Sequence, residues 1–102
     1  MGIVRFTCLA EADLYSIGIY TLRTWGEVQT DRYISGIEEC CRLLAGSPTS
    51  GRTCDDIRLG LRRMEHGQHV VFYRQESGGG ILVCRILHQR MLPDNQAIDD
   101  DE

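Results

Sequence analysis

The groups that could do chemistry in this 102-residue chain are concentrated in its second half. Seven arginines lie between Arg52 and Arg90, at 52, 58, 62, 63, 74, 85 and 90, with all three histidines and Tyr73 among them. A ribonuclease that uses the RNA 2′-hydroxyl as nucleophile needs a base for that proton, an acid for the leaving oxygen, and cations around the charged phosphorane. His66, His69, His88 and Tyr73 are the candidate acid/base groups; Arg58, Arg62, Arg63, Arg74, Arg85 and Arg90 are the candidate cations. The same cations equally suit a surface that binds an anionic partner, nucleic acid or an acidic protein segment.

Two features weigh against catalysis. All eleven cationic side chains are arginine, with no lysine, and arginine is too basic to give up a proton near neutrality. In a regular strand Arg85 would share a face with Ile81, Val83 and Leu87, while His88 would share the opposite face with Leu82, Cys84 and Ile86. His66 and His69 are then expected at the surface or supporting a turn. His88 reads either as a hydrogen-bonded structural residue or as part of a binding face. Tyr73 and Trp25 read as core aromatics.

The formal charge of −4 conceals an uneven distribution. Residues 1–51 hold four arginines against six acids, whereas residues 52–90 hold seven against four, and the last residues, Asp99 to Glu102, are all acidic. Arginine's planar fork engages carboxylates and phosphates through paired hydrogen bonds, so the basic half suits an anionic partner. Five cysteines, an odd number without a C-x-x-C pair, are expected to be buried thiols acting as small apolar residues. No metal and no cofactor are expected. No apolar run approaches the roughly 20 residues of a membrane span, and the N-terminus does not read as a signal peptide, so a cytoplasmic location is expected.

The elements that must position these groups follow from periodicity. Gly2 to Cys8 alternates as a short strand. Leu14, Ile17, Thr21 and Trp25 fall at helical spacing over Ala10 to Trp25, and Gly26 reverses the chain. A second helix runs from Glu27 to Ala45 on a stripe of Tyr33, Ile34, Ile37, Cys41 and Leu44, ended by Gly46-Ser47-Pro48. Two helices joined through one glycine pack antiparallel. A turn-rich loop from Ser47 to Asp56 precedes three strands, predicted at Ile57 to Arg62, Val70 to Tyr73 and Ile81 to Leu87. The fold class is α+β: an N-terminal β-strand at a sheet edge and an antiparallel helical hairpin packed on a small, mainly antiparallel sheet. Residues 1–93 form one domain, and 94–102 an acidic tail expected to be disordered.

The ordered series Ala12-Asp13-Leu14, Trp25-Gly26, Pro48 to Arg52, Ile57-Arg58-Leu59-Gly60, His69 to Arg74 and Arg85 to Met91 resembles the ParE toxins of the RelE/ParE superfamily. The resemblance spans residues 3 to 92 and implies the toxin of a bacterial type II toxin–antitoxin system. ParE members inhibit DNA gyrase and block replication, whereas RelE members cut mRNA on the ribosome. A shared fold does not choose between them, and the chain lacks the aromatic or histidine-rich ending of the ribonuclease branch. The reading is therefore a non-enzymatic gyrase inhibitor, with a RelE-like mRNA endoribonuclease as the alternative. The resemblance also implies a ParD-like antitoxin in a hetero-oligomer, and DNA gyrase, with or without its bound DNA, as the target. Arg52, Arg62, Arg74, Arg85, His88 and Arg90 are the expected toxic surface, and Tyr15, Ile19, Leu22 and Tyr33 the expected antitoxin contacts.

Overall fold

The computed structural model describes residues 2–91 together with 93, 96 and 98. Strand β1 (Val4–Phe6) leads into helix α1 (Cys8–Trp25) and helix α2 (Glu27–Gly46). After a single 3₁₀ turn at Pro48–Ser50 come β2 (Arg52–Thr53), β3 (Leu61–His66), β4 (His69–Gln75) and β5 (Ile81–His88). The expected strand over Gly2 to Cys8 is cut short because Thr7 caps α1. Its side-chain oxygen accepts from the Ala10 N–H at 3.1 Å and its hydroxyl donates to the Cys84 carbonyl at 2.9 Å. A buried threonine thus satisfies an orphan helix donor and ties the helix start to β5. Gly26, at φ 87°, ends α1 and starts α2, a left-handed turn that favours glycine.

The five strands form one sheet in the order β1-β5-β4-β3-β2, with β1 parallel to β5 and every other pairing antiparallel. At the mouth of the β4–β5 turn, a Cβ on Gly80 would lie 2.1 Å from the Ile3 carbonyl oxygen, so only glycine lets β1 approach. Ala10, Ile17, Ile37, Cys41, Leu44 and Ala45 of the two helices pack on Val71, Tyr73, Ile81, Val83 and Ile86. Burial of that apolar face supplies most of the driving force for the arrangement. A second, smaller core on the other side of the sheet joins Leu61, Val70, Phe72, Cys84 and Leu87 to Cys54, Ile57 and Ile98. Asp99 to Glu102, the acidic end of the chain, lie outside the described residues.

Three local expectations fail for identifiable reasons. Ile57 to Gly60 is not a strand: the Cys54 carbonyl accepts from the Ile57 and Arg58 amides, and Asp55 Oδ1 accepts from the Gly60 amide at 2.9 Å. Turn chemistry overrides the alternation there, Leu59 is left 86% exposed, and β3 begins only at Leu61. Trp25 is not a core aromatic: it sits on the last turn of α1, where it walls an open groove, and is 68% exposed. Cys8 is exposed at the first position of α1, while Cys41, Cys54 and Cys84 are buried as expected. Burial pushes the Cys41 thiol up to about 12.

Candidate functional site

The chemistry-bearing residues are organised by a β-bulge in β5. Phe72 opposes Arg85 but Tyr73 opposes Val83, so Cys84 is the extra residue and strand alternation changes phase there. Ile81, Val83 and Ile86 consequently face the helices together, which regular alternation forbids. Just past the bulge, Arg85 meets Asp13 of α1. Asp13 Oδ2 accepts from Arg85 Nε at 2.7 Å and from the Ile86 amide at 2.9 Å, and Oδ1 accepts from Arg85 Nη2 at 2.9 Å. Both side chains are close to nine-tenths buried, and the hydrogen bonds to Asp13 push the Arg85 guanidinium up. His88 lies opposite His69 at the same helix-facing end of the sheet. The expectation that Arg85 and His88 face opposite sides holds: past the bulge alternation is regular, so His88 shares the helix-facing side with Ile86, while Arg85 leaves the strand on the Phe72 side and reaches Asp13 through its guanidinium.

The remaining arginines are spread over both faces. Arg52 and Arg63 are register partners that both reach Glu65, whose carboxyl is held below its ordinary range. Desolvation opposes that shift, but a backbone hydrogen bond and the two guanidinium groups outweigh it. Arg63 also lies over the Phe72 ring, 5.6 Å from its centroid. Arg74 opposes Leu61 and Leu82, on the side away from the helices. Arg62 donates to the Gly51 carbonyl at 2.7 Å and so ties β3 to the loop before β2. Arg90 is exposed, and its amide donates to His88 Nδ1 at 3.1 Å. The six expected surface residues thus do not converge on one patch: Arg62 and His88 belong to the helix side, Arg52 and Arg74 to the other, and Arg85 is held by Asp13.

Tyr73 is fully buried, and its hydroxyl donates to the Pro48 carbonyl at 2.6 Å while accepting from the Gly51 amide at 2.9 Å. Burial raises its pKa, so it is a structural bolt for the loop, as the core reading expected.

The histidines are not scattered on the surface. His66, His69 and His88 stand directly opposite one another on β3, β4 and β5, a row of three imidazoles across the sheet. Rings of His69 and His88 meet edge to face at 5.4 Å. Tyr33 of α2 caps the row, with its hydroxyl 2.5 Å from His69 Nδ1 and accepting from the Gln68 amide at 3.1 Å. Burial raises Tyr33, and burial followed by the neighbouring imidazoles lowers His69. His69 and His88 line a groove of about 760 Å³ whose other walls include Tyr20, Trp25, Tyr33 and Met91. Among the described residues no group of His, Cys, Asp or Glu could hold a metal ion.

On α1 the expected antitoxin contacts Tyr15 and Leu22 are exposed, at 73% and 43%, and Ile19 is partly so. They lie on the side of the helix away from Ile17 and Thr21, which meet the core. Tyr33 is different, since it is half-buried and engaged with the β3–β4 turn. Sequence reasoning missed Asp13 as the partner of Arg85. A lone buried arginine in an apolar strand was the available signal, because such a charge requires a carboxylate.

The family model described as "ParE toxin of type II toxin-antitoxin system, parDE" matches residues 4–93. Toxin ParE1 of Mycobacterium tuberculosis is 40% identical over 82 residues, 80% of this chain and 84% of its own. Toxin ParE1 of Caulobacter vibrioides is 36% identical over 87 residues, covering 85% and 88%, and Toxin ParE of Escherichia coli 38% over 85, covering 83% and 82%. Among solved structures, a chain of the chromosomal ParDE system of P. aeruginosa superposes with TM-score 0.71 over 86% of this chain and 96% of its own, at 22% identity. A chain of the RelBE2 toxin–antitoxin complex of M. tuberculosis gives 0.63 over 85% and 96%, at 21%. With the α+β architecture shared and the sequence match spanning β1 to Pro93, this chain belongs to the ParE toxin family of type II toxin–antitoxin systems.

Proposed function

We propose that this ParE toxin acts by binding and inhibiting DNA gyrase, so blocking DNA replication, and that a ParD-like antitoxin neutralises it in a cytoplasmic hetero-oligomer. The observation that carries binding over RNA cleavage is how the reactive groups are used. Arg85 is clamped by Asp13, Arg62 is bonded to the Gly51 carbonyl, and the Tyr73 hydroxyl is held between Pro48 and Gly51. A phosphoryl-transfer site needs a poised base and cations converging on one open cleft, and these groups are committed to holding the fold. Among the described residues no helix is long and apolar enough to cross a membrane.

Of the expected target contacts Arg52, Arg62, Arg74, Arg85, His88 and Arg90, the exposed Arg52 and Arg90 meet the target directly in this reading, while Arg62 and Arg85 support the surface through the fold. The antitoxin is assigned to the hairpin, where Tyr15, Ile19 and Leu22 offer an apolar stripe suited to an amphipathic helix, with Tyr33 beside it. Induced expression in a bacterial host tests the reading, with DNA and protein synthesis followed separately. Growth arrest in which DNA synthesis stops first, relieved by co-expression of the partner, is the expected result. Protein synthesis stopping first, with shortened mRNA, would overturn it in favour of a RelE-like endoribonuclease.

A further inference from the structure

We infer that the row His66, His69 and His88, capped by Tyr33, is a proton-sensitive latch holding the helical hairpin to the sheet, so that acidification loosens α2 from the β3–β4 turn. The argument begins with hydrogen-bond bookkeeping. The Tyr33 hydroxyl accepts the Gln68 amide at 3.1 Å, so its single proton is available for one of two acceptors: His69 Nδ1 at 2.5 Å or the His66 carbonyl at 3.3 Å. The shorter contact wins when His69 is neutral, with its own proton on Nε2. His88 is also in the tautomer with a bare Nδ1, which accepts the Arg90 amide.

A second contact lies one turn along α2. A Cβ on Gly36 would be 2.9 Å from His66 Nε2, so the α2 backbone rests against that ring. Tyr33 itself packs on the turn, where a Cβ on Gly67 would be 2.8 Å from its ring. α2 therefore meets this end of the sheet through Tyr33 on His69 and Gly36 on His66.

Protonating His69 places a hydrogen on Nδ1. The Tyr33 hydroxyl must then turn its proton to the more distant His66 carbonyl, and the 2.5 Å bond reverses direction. The new charge is half-buried and faced by His66 from β3, His88 from β5, Tyr33 from α2 and Asp13 from α1. Of these only Asp13 is an anion, and Arg85 from β5 already occupies it. Burial first, then His88 and His66, depress His69 below its ordinary 6.5, against a smaller opposing effect of Asp13. A histidine depressed on folding favours the neutral form, so the latch is at full strength above pH 6.5 and weakens as pH falls below it.

Hydrogen exchange of the intact chain tests this, with protection corrected for intrinsic rates, at about pH 7.5 and about pH 5.5. The expected result is lost protection in the N-terminal half of α2 and at the Gln68 amide, while β5 stays protected. Each pK unit of depression raises the opening equilibrium by up to about tenfold. His69→Gln, whose amide oxygen still accepts from Tyr33 but takes no proton, is expected to abolish the change. Equal protection of wild-type α2 at both pH values, or an equal loss in H69Q, overturns the inference. Should H69Q fail to fold, the histidine titration of the wild-type chain by NMR decides: His69 titrating at or above its ordinary value overturns it.

Discussion

Asp13 accepts three hydrogen bonds from β5, two from the Arg85 guanidinium and one from the Ile86 amide. It is the one carboxylate among the described residues bonded to Arg85, and it ties α1 to the bulged strand. Asp13→Ala takes from a buried guanidinium the carboxylate that holds it through two hydrogen bonds, and from the Ile86 amide its acceptor. Losing one member of a buried pair costs about 3–5 kcal/mol, a large part of the about 5–15 kcal/mol that holds a domain this size. At about 4–8 °C per kcal/mol, the melting temperature falls by about 12 °C or more, or the chain does not fold. Asp13→Asn keeps the shape and one acceptor oxygen but removes the charge, for a loss of about 1.5–3 kcal/mol. Arg85→Met strands the carboxylate instead and destabilises comparably to Asp13→Ala. Chemical denaturation with circular dichroism reads all three, and the double variant Asp13→Asn/Arg85→Met gives the coupling. An Asp13→Asn protein within about 0.5 kcal/mol of the parent, or no coupling in the cycle, would refute the clamp. The same reasoning predicts that loss of toxicity in Arg85→Ala tracks loss of fold.

Other perturbations report on separate parts of the molecule. Tyr73→Phe removes the partner of the Gly51 amide and the Pro48 carbonyl and is expected to cost about 1–3 kcal/mol by urea denaturation. Gly51→Ala places a Cβ 2.3 Å from the Tyr73 hydroxyl and 2.8 Å from the Arg63 carbonyl, so a comparable or larger loss is expected in the same experiment. Ile98→Ala opens the second core beneath Phe72 and Leu87, and a stability loss of about 2 kcal/mol or more is expected. Tyr15→Glu/Leu22→Glu, two exposed positions, leaves the melting temperature within a few degrees while abolishing co-purification with the antitoxin. Unaltered co-purification would remove this face from the antitoxin site.

Much of the fold was legible because its signals are periodic. The apolar stripe of α1 and α2, the reversal at Gly26 and the β4–β5 hairpin around Gly78 to Gly80 all appear in the sequence as spacing or turn chemistry. Residues 57–60 misled because Ile57 and Leu59 alternate like a strand while Asp55 and Gly60 close a turn. Trp25 misled because large apolar side chains are normally buried, and nothing in the sequence says that the last turn of α1 borders an open groove. The site was harder still. The bulge at Cys84, which aligns His88 with His69, depends on cross-strand register, and register is a tertiary property. The row His66-His69-His88 likewise exists only once β3, β4 and β5 are paired.

The central claim, that this ParE toxin disables gyrase by binding, is tested most directly with purified components. Folded protein is added to DNA gyrase, relaxed plasmid and ATP, and the products are scored for supercoiled and linear DNA. The account predicts loss of supercoiling with accumulation of linear plasmid, both suppressed when the antitoxin is added first. Full supercoiling in the presence of excess folded toxin would contradict it.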